Sequence, residues 1–135
     1  MIFDYELMFI DDKEGTQQNI ETGTLGQYID LSGDGQGKGY PGLIAIAFTS
    51  DTTATADPEI KFSIETSTTC NFAESTEIPL ELPTFKKADL TKGKVIAAHL
   101  PLMNLKRFIR LKANLESPIT CMGIRAGFVL DAPLE

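Results

Sequence analysis

Apolar and polar residues alternate with a period of two over much of this chain, the pattern of strands that turn one face to a core and the other to water. The alternation is clearest in EIKFSIETS, where Ile60, Phe62 and Ile64 take one side and Lys61, Ser63 and Glu65 the other. Near the C-terminus Ile109, Leu111, Ala113 and Leu115 alternate with Arg110, Lys112 and Asn114. After a Ser117-Pro118 turn, Met122, Ile124, Ala126, Phe128 and Leu130 repeat the pattern. These last two runs predict adjoining strands of a sheet whose apolar face packs on a second layer. LIAIAFT, from Leu43 to Thr49, is apolar on both faces and predicts a central strand covered on each side. Further strands are expected at Phe3 to Ile10, across Leu25, Ile29 and Leu31, and at Lys94 to Pro101. Another is expected at Ile78 to Pro83, whose prolines confine it to an edge or an irregular connection.

The segments between these runs carry turn chemistry. Asp11 to Gly23 has too few apolar residues to pack and reads as a polar loop or arm, while Ser32 to Gly42, SGDGQGKGYPG, reads as a long glycine-rich turn. About eight short strands, with no helical pattern longer than a turn or two, predict an all-β chain. The expected architecture is one domain over residues 1–135, a jelly-roll or Greek-key β-sandwich. A chain of 135 residues buries about two-thirds of the surface its unfolded form exposes, so it can fold without covalent staples.

Charge narrows the set of partners. Nineteen acids against twelve bases give a net charge of -7, which argues for solubility and against direct binding to nucleic acid, since phosphate is repelled overall. The bases are nevertheless clustered, at Lys86, Lys87, Lys92 and Lys94 and again at Lys106, Arg107, Arg110 and Lys112. Such a stripe could meet an acidic protein surface, although a solvated strand face is the simpler account. No stretch approaches membrane-spanning length, and MIFDYELMFIDDKEG has acids where a secretory leader has a basic region and an apolar run, so a cytosol-like compartment is expected. Cys70 and Cys121 fit neither a CxxC metal spacing nor a disulfide framework; both are expected to be reduced, strand-borne thiols in or near the core.

Sequence features that could carry chemistry fail on spacing. GDGQGKG offers glycine amides and a lysine to an anion, but Ser32 stands where a P-loop has its first glycine, and no helix pattern follows. Asp30, Ser32, Asp34 and Gly35 match the opening of an EF-hand loop, yet the twelfth position is Pro41, which supplies no carboxylate. His99 has no carboxylate near it in sequence to orient it as a base, and Glu77 and Glu81 do not mark a glycosidase pair. Tryptophan is absent and the tyrosines are Tyr5, Tyr28 and Tyr40, so the usual stacking platform for sugars or bases is missing. No catalytic residue, metal or cofactor is implied.

Four motifs in order, MIFDYELMFID, YIDLSGDGQGKGYPGLIAIAF, IKFSIETS followed by Phe72, and RFIRLKANL with GIRAGFVLD, resemble the small jelly-roll cement, or decoration, proteins that coat the capsids of tailed bacteriophages. The polar insertion from Lys13 to Thr22 and the proline-rich IPLELPTF depart from that pattern. The resemblance implies a non-enzymatic structural protein that binds the outer capsid surface and cements neighbouring major capsid protein subunits. It implies self-association as a dimer or trimer, and a place on the virion exterior after synthesis in the host bacterial cytoplasm. Exposure and charge then select Phe3 and Tyr5 in the N-terminal segment, Asp34, Lys38 and Tyr40 in the glycine-rich loop, and Lys86, Lys87 and Lys92 as expected capsid or subunit contacts. The alternative is a small lectin-like ligand-binding sandwich, which would show a concave site with clustered aromatics or a metal. A sandwich enzyme would instead need a pocket joining carboxylates or His99 with Cys70 or Cys121.

Overall fold

The computed structural model describes residues 3–12, 18–31, 43–54, 58–73, 76–100, 105–121 and 123–129. Along the chain these form β1 (Phe3–Asp12), β2 (Gln18–Ile20), β3 (Gly23–Asp30), β4 (Leu43–Phe48), β5 (Thr52–Thr53), β6 (Glu59–Ser67) and β7 (Glu77–Lys86). A single 3-10 turn (Lys87–Asp89) leads on to β8 (Val95–His99), β9 (Phe108–Leu115), β10 (Ile119–Cys121) and β11 (Ile124–Val129). Two four-stranded antiparallel sheets result, in the orders β1-β11-β4-β8 and β3-β9-β6-β7.

That order is a jelly roll. Among the eight longer strands the first pairs with the last (β1 with β11), the second with the seventh (β3 with β9), the third with the sixth (β4 with β8) and the fourth with the fifth (β6 with β7). The nested pairing is then wrapped so that β11 also joins β4 and β9 also joins β6. The all-β sandwich expected from the alternation is therefore the architecture observed, and between its two alternatives the pairing selects the jelly roll.

The core lies between the sheets. One sheet contributes Ile44, Ile46, Phe48, Ile96, Ile124, Ala126 and Phe128; the other contributes Ile60, Phe62, Ile64, Ile109, Leu111 and Ala113. Ile60, Phe62, Ile64, Ile109, Leu111, Ala113, Ile124, Ala126 and Phe128 are residues that the period of two grouped on one face. β4 is buried at every position: Leu43, Ala45 and Ala47 join Met8 and Val129 in a second apolar cluster on the reverse face of its sheet.

Four expectations change. The two C-terminal runs do not pair with each other: β9 belongs to one sheet and β11 to the other, and the Ser117-Pro118 turn carries the chain across the sandwich. Alternation reports which face is apolar but not which sheet a strand joins, so consecutive amphipathic strands look alike in either arrangement. The segment from Asp11 to Gly23 is less of a loop than its polarity suggested. Asp11 and Asp12 complete β1, Gln18–Ile20 form β2 and Gly23 opens β3, leaving residues 13–17 outside the described residues. The short proline-bounded strand extends to Glu77–Lys86 and lies at a sheet edge, with two breaks in its register to β6 that accommodate the prolines. Cys70 is neither strand-borne nor near the core: it is an exposed free thiol in the turn that follows β6.

Both sides of the sandwich, and one of its ends, are closed by short-range devices. On one side β1 lies against β3, where Gly26 adopts φ +77° and a Cβ would overlap the Phe9 carbonyl oxygen, so only glycine fits. On the other side the chain passes from β7, the edge of one sheet, through the 3-10 turn to β8, the edge of the other. A small third sheet, β2-β10-β5, is built from connections between the long strands and caps one end, with Ile20 and Ile119 buried beneath it. The 3-10 turn is tied to this cap: the Thr52 hydroxyl donates to the Leu90 carbonyl at 2.8 Å, and the Lys87 amide donates to the Pro58 carbonyl at 3.1 Å.

Candidate interaction surface

The outer face of the β3-β9-β6-β7 sheet carries the second basic cluster, and there every base has an acid. Arg110 and Glu65 are register partners across β6 and β9, with Arg110 Nη2 2.6 Å from Glu65 Oε1. Lys112 Nζ approaches the other oxygen of Glu65 at 3.5 Å. The Glu65 side chain is only 8% exposed, so this carboxylate is held under its partners rather than in water. Phe72, in the turn after β6, lies over the Arg110 guanidinium at 4.2 Å and is itself in the left-handed region at φ 57°.

The same neutralisation extends across the face. Lys106 pairs with Glu77 at 2.7 Å and Lys61 with Glu81 at 3.2 Å. Arg107 donates through Nε and Nη2 to both oxygens of Asp30, at 3.0 and 2.9 Å. Those hydrogen bonds, followed by the charge of Asp30, hold the Arg107 guanidinium above its ordinary pKa. Asp30 thus serves as a fork-matched partner for arginine. Glu77 and Glu81 are likewise ion-paired acids of a sheet surface. Two open depressions of about 240 and 200 Å3 cross this face. They share Lys61 and Asn114 in their linings, and neither includes an aromatic residue, His99 or a cysteine.

The first basic cluster differs. Lys86 ends β7, Lys87 opens the 3-10 turn, Lys92 sits in the following turn, and Lys94 precedes β8, all on the chain that crosses from one sheet edge to the other. Among the described residues none of the four lies within ion-pair distance of a carboxylate. The nearby acids Asp51 and Asp89 are engaged with backbone, accepting from the amides of Lys92 at 2.8 Å and Lys86 at 3.2 Å. Lys86 and Lys92 are exposed, Lys87 is half-buried, and Lys94 Nζ sits 5.3 Å over the Phe85 ring. Folding thus pairs the basic stripe of β9 with acids and, among the described residues, leaves the basic connection of β7 to β8 without them.

Other residues expected as contacts divide between the backbone and the undescribed segments. Phe3 and Tyr5 belong to β1, with Phe3 opposite Val129 in the ladder to β11. Asp34, Lys38 and Tyr40 lie outside the described residues. His99 ends β8 on the edge of one sheet, whereas Cys70 follows β6 of the other. Among the described residues no cluster of histidine, cysteine, aspartate and glutamate could hold a metal ion. None of their helices is long and apolar enough to cross a membrane.

The sequence names Asp30, Glu65 and Glu77 but does not pair them with the bases of β9. Glu65 sits among the outward positions of β6, but which base it meets depends on register between strands more than forty residues apart. Comparison with protein-family models and with curated proteins found no match.

Proposed function

We propose that this chain is a non-catalytic structural module that docks on the outside of an assembled phage capsid and bridges neighbouring major capsid protein subunits. The observation that carries the docking site is the contrast between the two basic clusters: Lys106, Arg107, Arg110 and Lys112 are matched by acids of the same chain, whereas among the described residues Lys86, Lys87, Lys92 and Lys94 are not. On a protein of net charge -7, an uncompensated basic end can steer docking to an acidic surface while the remaining surface resists unspecific association. The ordered motifs quoted from the sequence supply the identity of that surface, and the jelly roll supplies a rigid body suited to a mechanical role.

Under this reading the protein sits on the virion exterior, acts as a dimer or trimer, and needs neither cofactor nor metal. Repeated weak contacts over a symmetric shell add through multivalency, so each lysine contact need contribute little alone. The lectin-like alternative gains nothing from the two depressions, whose linings offer no stacking ring.

The decisive experiment mixes purified protein with expanded, undecorated capsids of its own phage and sediments the mixture. Saturable, stoichiometric co-pelleting with increased resistance of the shell to heat or osmotic shock is expected. Absence of co-pelleting overturns the proposal.

A further inference from the structure

A sheet edge is a row of unpaired amides and carbonyls, and a stable soluble protein blocks it with proline, charge, a bulge or a covering segment. Three of the four edges of this sandwich are blocked. β1 has two breaks in its register and lies against β3; β3 is bulged at Gly26; β7 carries Pro79, Pro83, two register breaks, Glu77, Glu81 and Lys86.

Among the described residues β8 has none of these devices. Its sequence VIAAH contains no proline, lysine or acid, and its register to β4 runs unbroken from Leu43↔His99 to Ala47↔Val95. Ile96 points into the core, while Val95, Ala97 and His99 are exposed. Val95, at 40%, is one of the few large hydrophobic side chains that stand out into solvent among the described residues.

The hydrogen-bond phase shows what the edge offers. The Phe48 amide donates to the Lys94 carbonyl at 2.9 Å. Successive residues of an antiparallel strand address opposite neighbours, so the Lys94 carbonyl, Ile96 and Ala98 bond to β4, and the amides and carbonyls of Val95, Ala97 and His99 point away from it. Among the described residues those three outward-facing positions have no other hydrogen-bond partner.

We propose that two copies of this chain pair through β8, antiparallel, with Ala97 of each copy facing Ala97 of the other on a two-fold axis, so that two four-stranded sheets become one. The register follows from using all three outward residues: Val95 of one copy then faces His99 of the second, and Lys94 faces Leu100. No like charges meet across the seam, the small Ala97 side chains permit close approach at the centre, and the interface is self-complementary, as a two-fold requires. Lys94 of the two copies are offset by the span of residues 94 to 100, about 20 Å at the rise of a strand. The pairing narrows the dimer-or-trimer association of the capsid reading to a dimer and names its seam, and sedimentation of the free protein tests it separately from binding to shells. If both hold, the dimer carries a basic docking end at each pole, which is the form a bridge between neighbouring subunits needs.

Sedimentation velocity over a concentration series tests this on the full chain. The native protein is expected to be a dimer. Ala97→Lys and Ala97→Glu each place like charges opposite one another on the axis and should weaken association about tenfold or more, with unchanged circular dichroism. An equimolar mixture of the two variants should recover the dimer, because the lysine of one then faces the glutamate of the other. A monomeric native protein, variants that remain associated, or a mixture that fails to recover association overturns the proposal. Amide hydrogen exchange on the native chain tests it without substitution: protection at Val95, Ala97 and His99 should rise with protein concentration. Exchange there that is independent of concentration overturns it.

Discussion

Arg110 stands directly opposite Glu65 across the β6–β9 ladder and is held between that carboxylate, at 2.6 Å, and the ring of Phe72, at 4.2 Å. The pair links a strand pairing to a turn. Because Glu65 is almost fully covered, removing Arg110 leaves a shielded carboxylate with only Lys112 at 3.5 Å to meet it. Arg110→Ala should therefore cost about 2–4 kcal/mol in a urea unfolding midpoint analysis, near the range for breaking a covered ion pair. Lys112→Ala should cost under about 1 kcal/mol, as a longer and more exposed contact does. Equal losses for both would show that Glu65 does not depend on Arg110.

Gly26 is the point at which β3 crowds β1. Gly26→Ala forces a Cβ into the Phe9 carbonyl in addition to straining φ +77°, and should destabilise by about 3 kcal/mol or more. Gly93→Ala, at φ +92° but with open space around the added carbon, isolates the conformational part and should cost about 1–2 kcal/mol. Thermal unfolding of the two variants side by side separates overlap from strain.

Thr66 is fully buried between the sheets and its hydroxyl works in both directions, donating to the Phe108 carbonyl at 2.9 Å and accepting from the Lys106 amide at 2.8 Å. Thr66→Val keeps the shape and strands both backbone groups. A loss of about 1–3 kcal/mol is expected. Faster exchange of the Lys106 amide should accompany it, localising the effect to the entry of β9.

Charge reversal at Lys86, Lys87 and Lys92 touches no ion pair among the described residues, so stability should stay within about 0.5 kcal/mol for each. Shell co-pelleting should fall in the triple variant, most strongly at low salt, where exposed charges act over a longer range. Arg107→Gln and Lys106→Gln remove charges already matched within the chain and should leave co-pelleting unchanged. Loss of binding in those two variants, with the lysine triple variant unaffected, would move the docking face to the outer surface of the β3-β9-β6-β7 sheet.

Most of the inward-facing set was legible in the sequence because burial in a sheet repeats every second residue: Ile60, Phe62, Ile64, Ile109, Leu111 and Ala113 all reached the core. The unbroken apolar run at Leu43 likewise became an interior strand. What alternation cannot carry is partnership. β9 and β11 have the same pattern and adjacent places in the chain, yet join different sheets. The identity of the free lysines was hidden for the same reason, since two basic clusters of similar density differ only in whether register brings acids such as Glu65, Glu77 and Asp30 alongside. Cys70 was misjudged because one apolar-looking residue in a turn leaves no periodic trace.

The position of β11 between β1 and β4 has a temporal consequence. Residues 124–129 come latest in sequence among the described strands, yet they fill a central slot that β1 and the interior run at Leu43 both require. A nascent chain can form the sequence-local β6–β7 hairpin early, but its other sheet cannot close until β11 has left the ribosome. Until then β1 and β4 have no mutual partner and the apolar faces at Ile44, Ile46 and Phe48 await their neighbours. Closure of this sheet is thus expected to be paced by its most distant strands rather than by the order in which they are made.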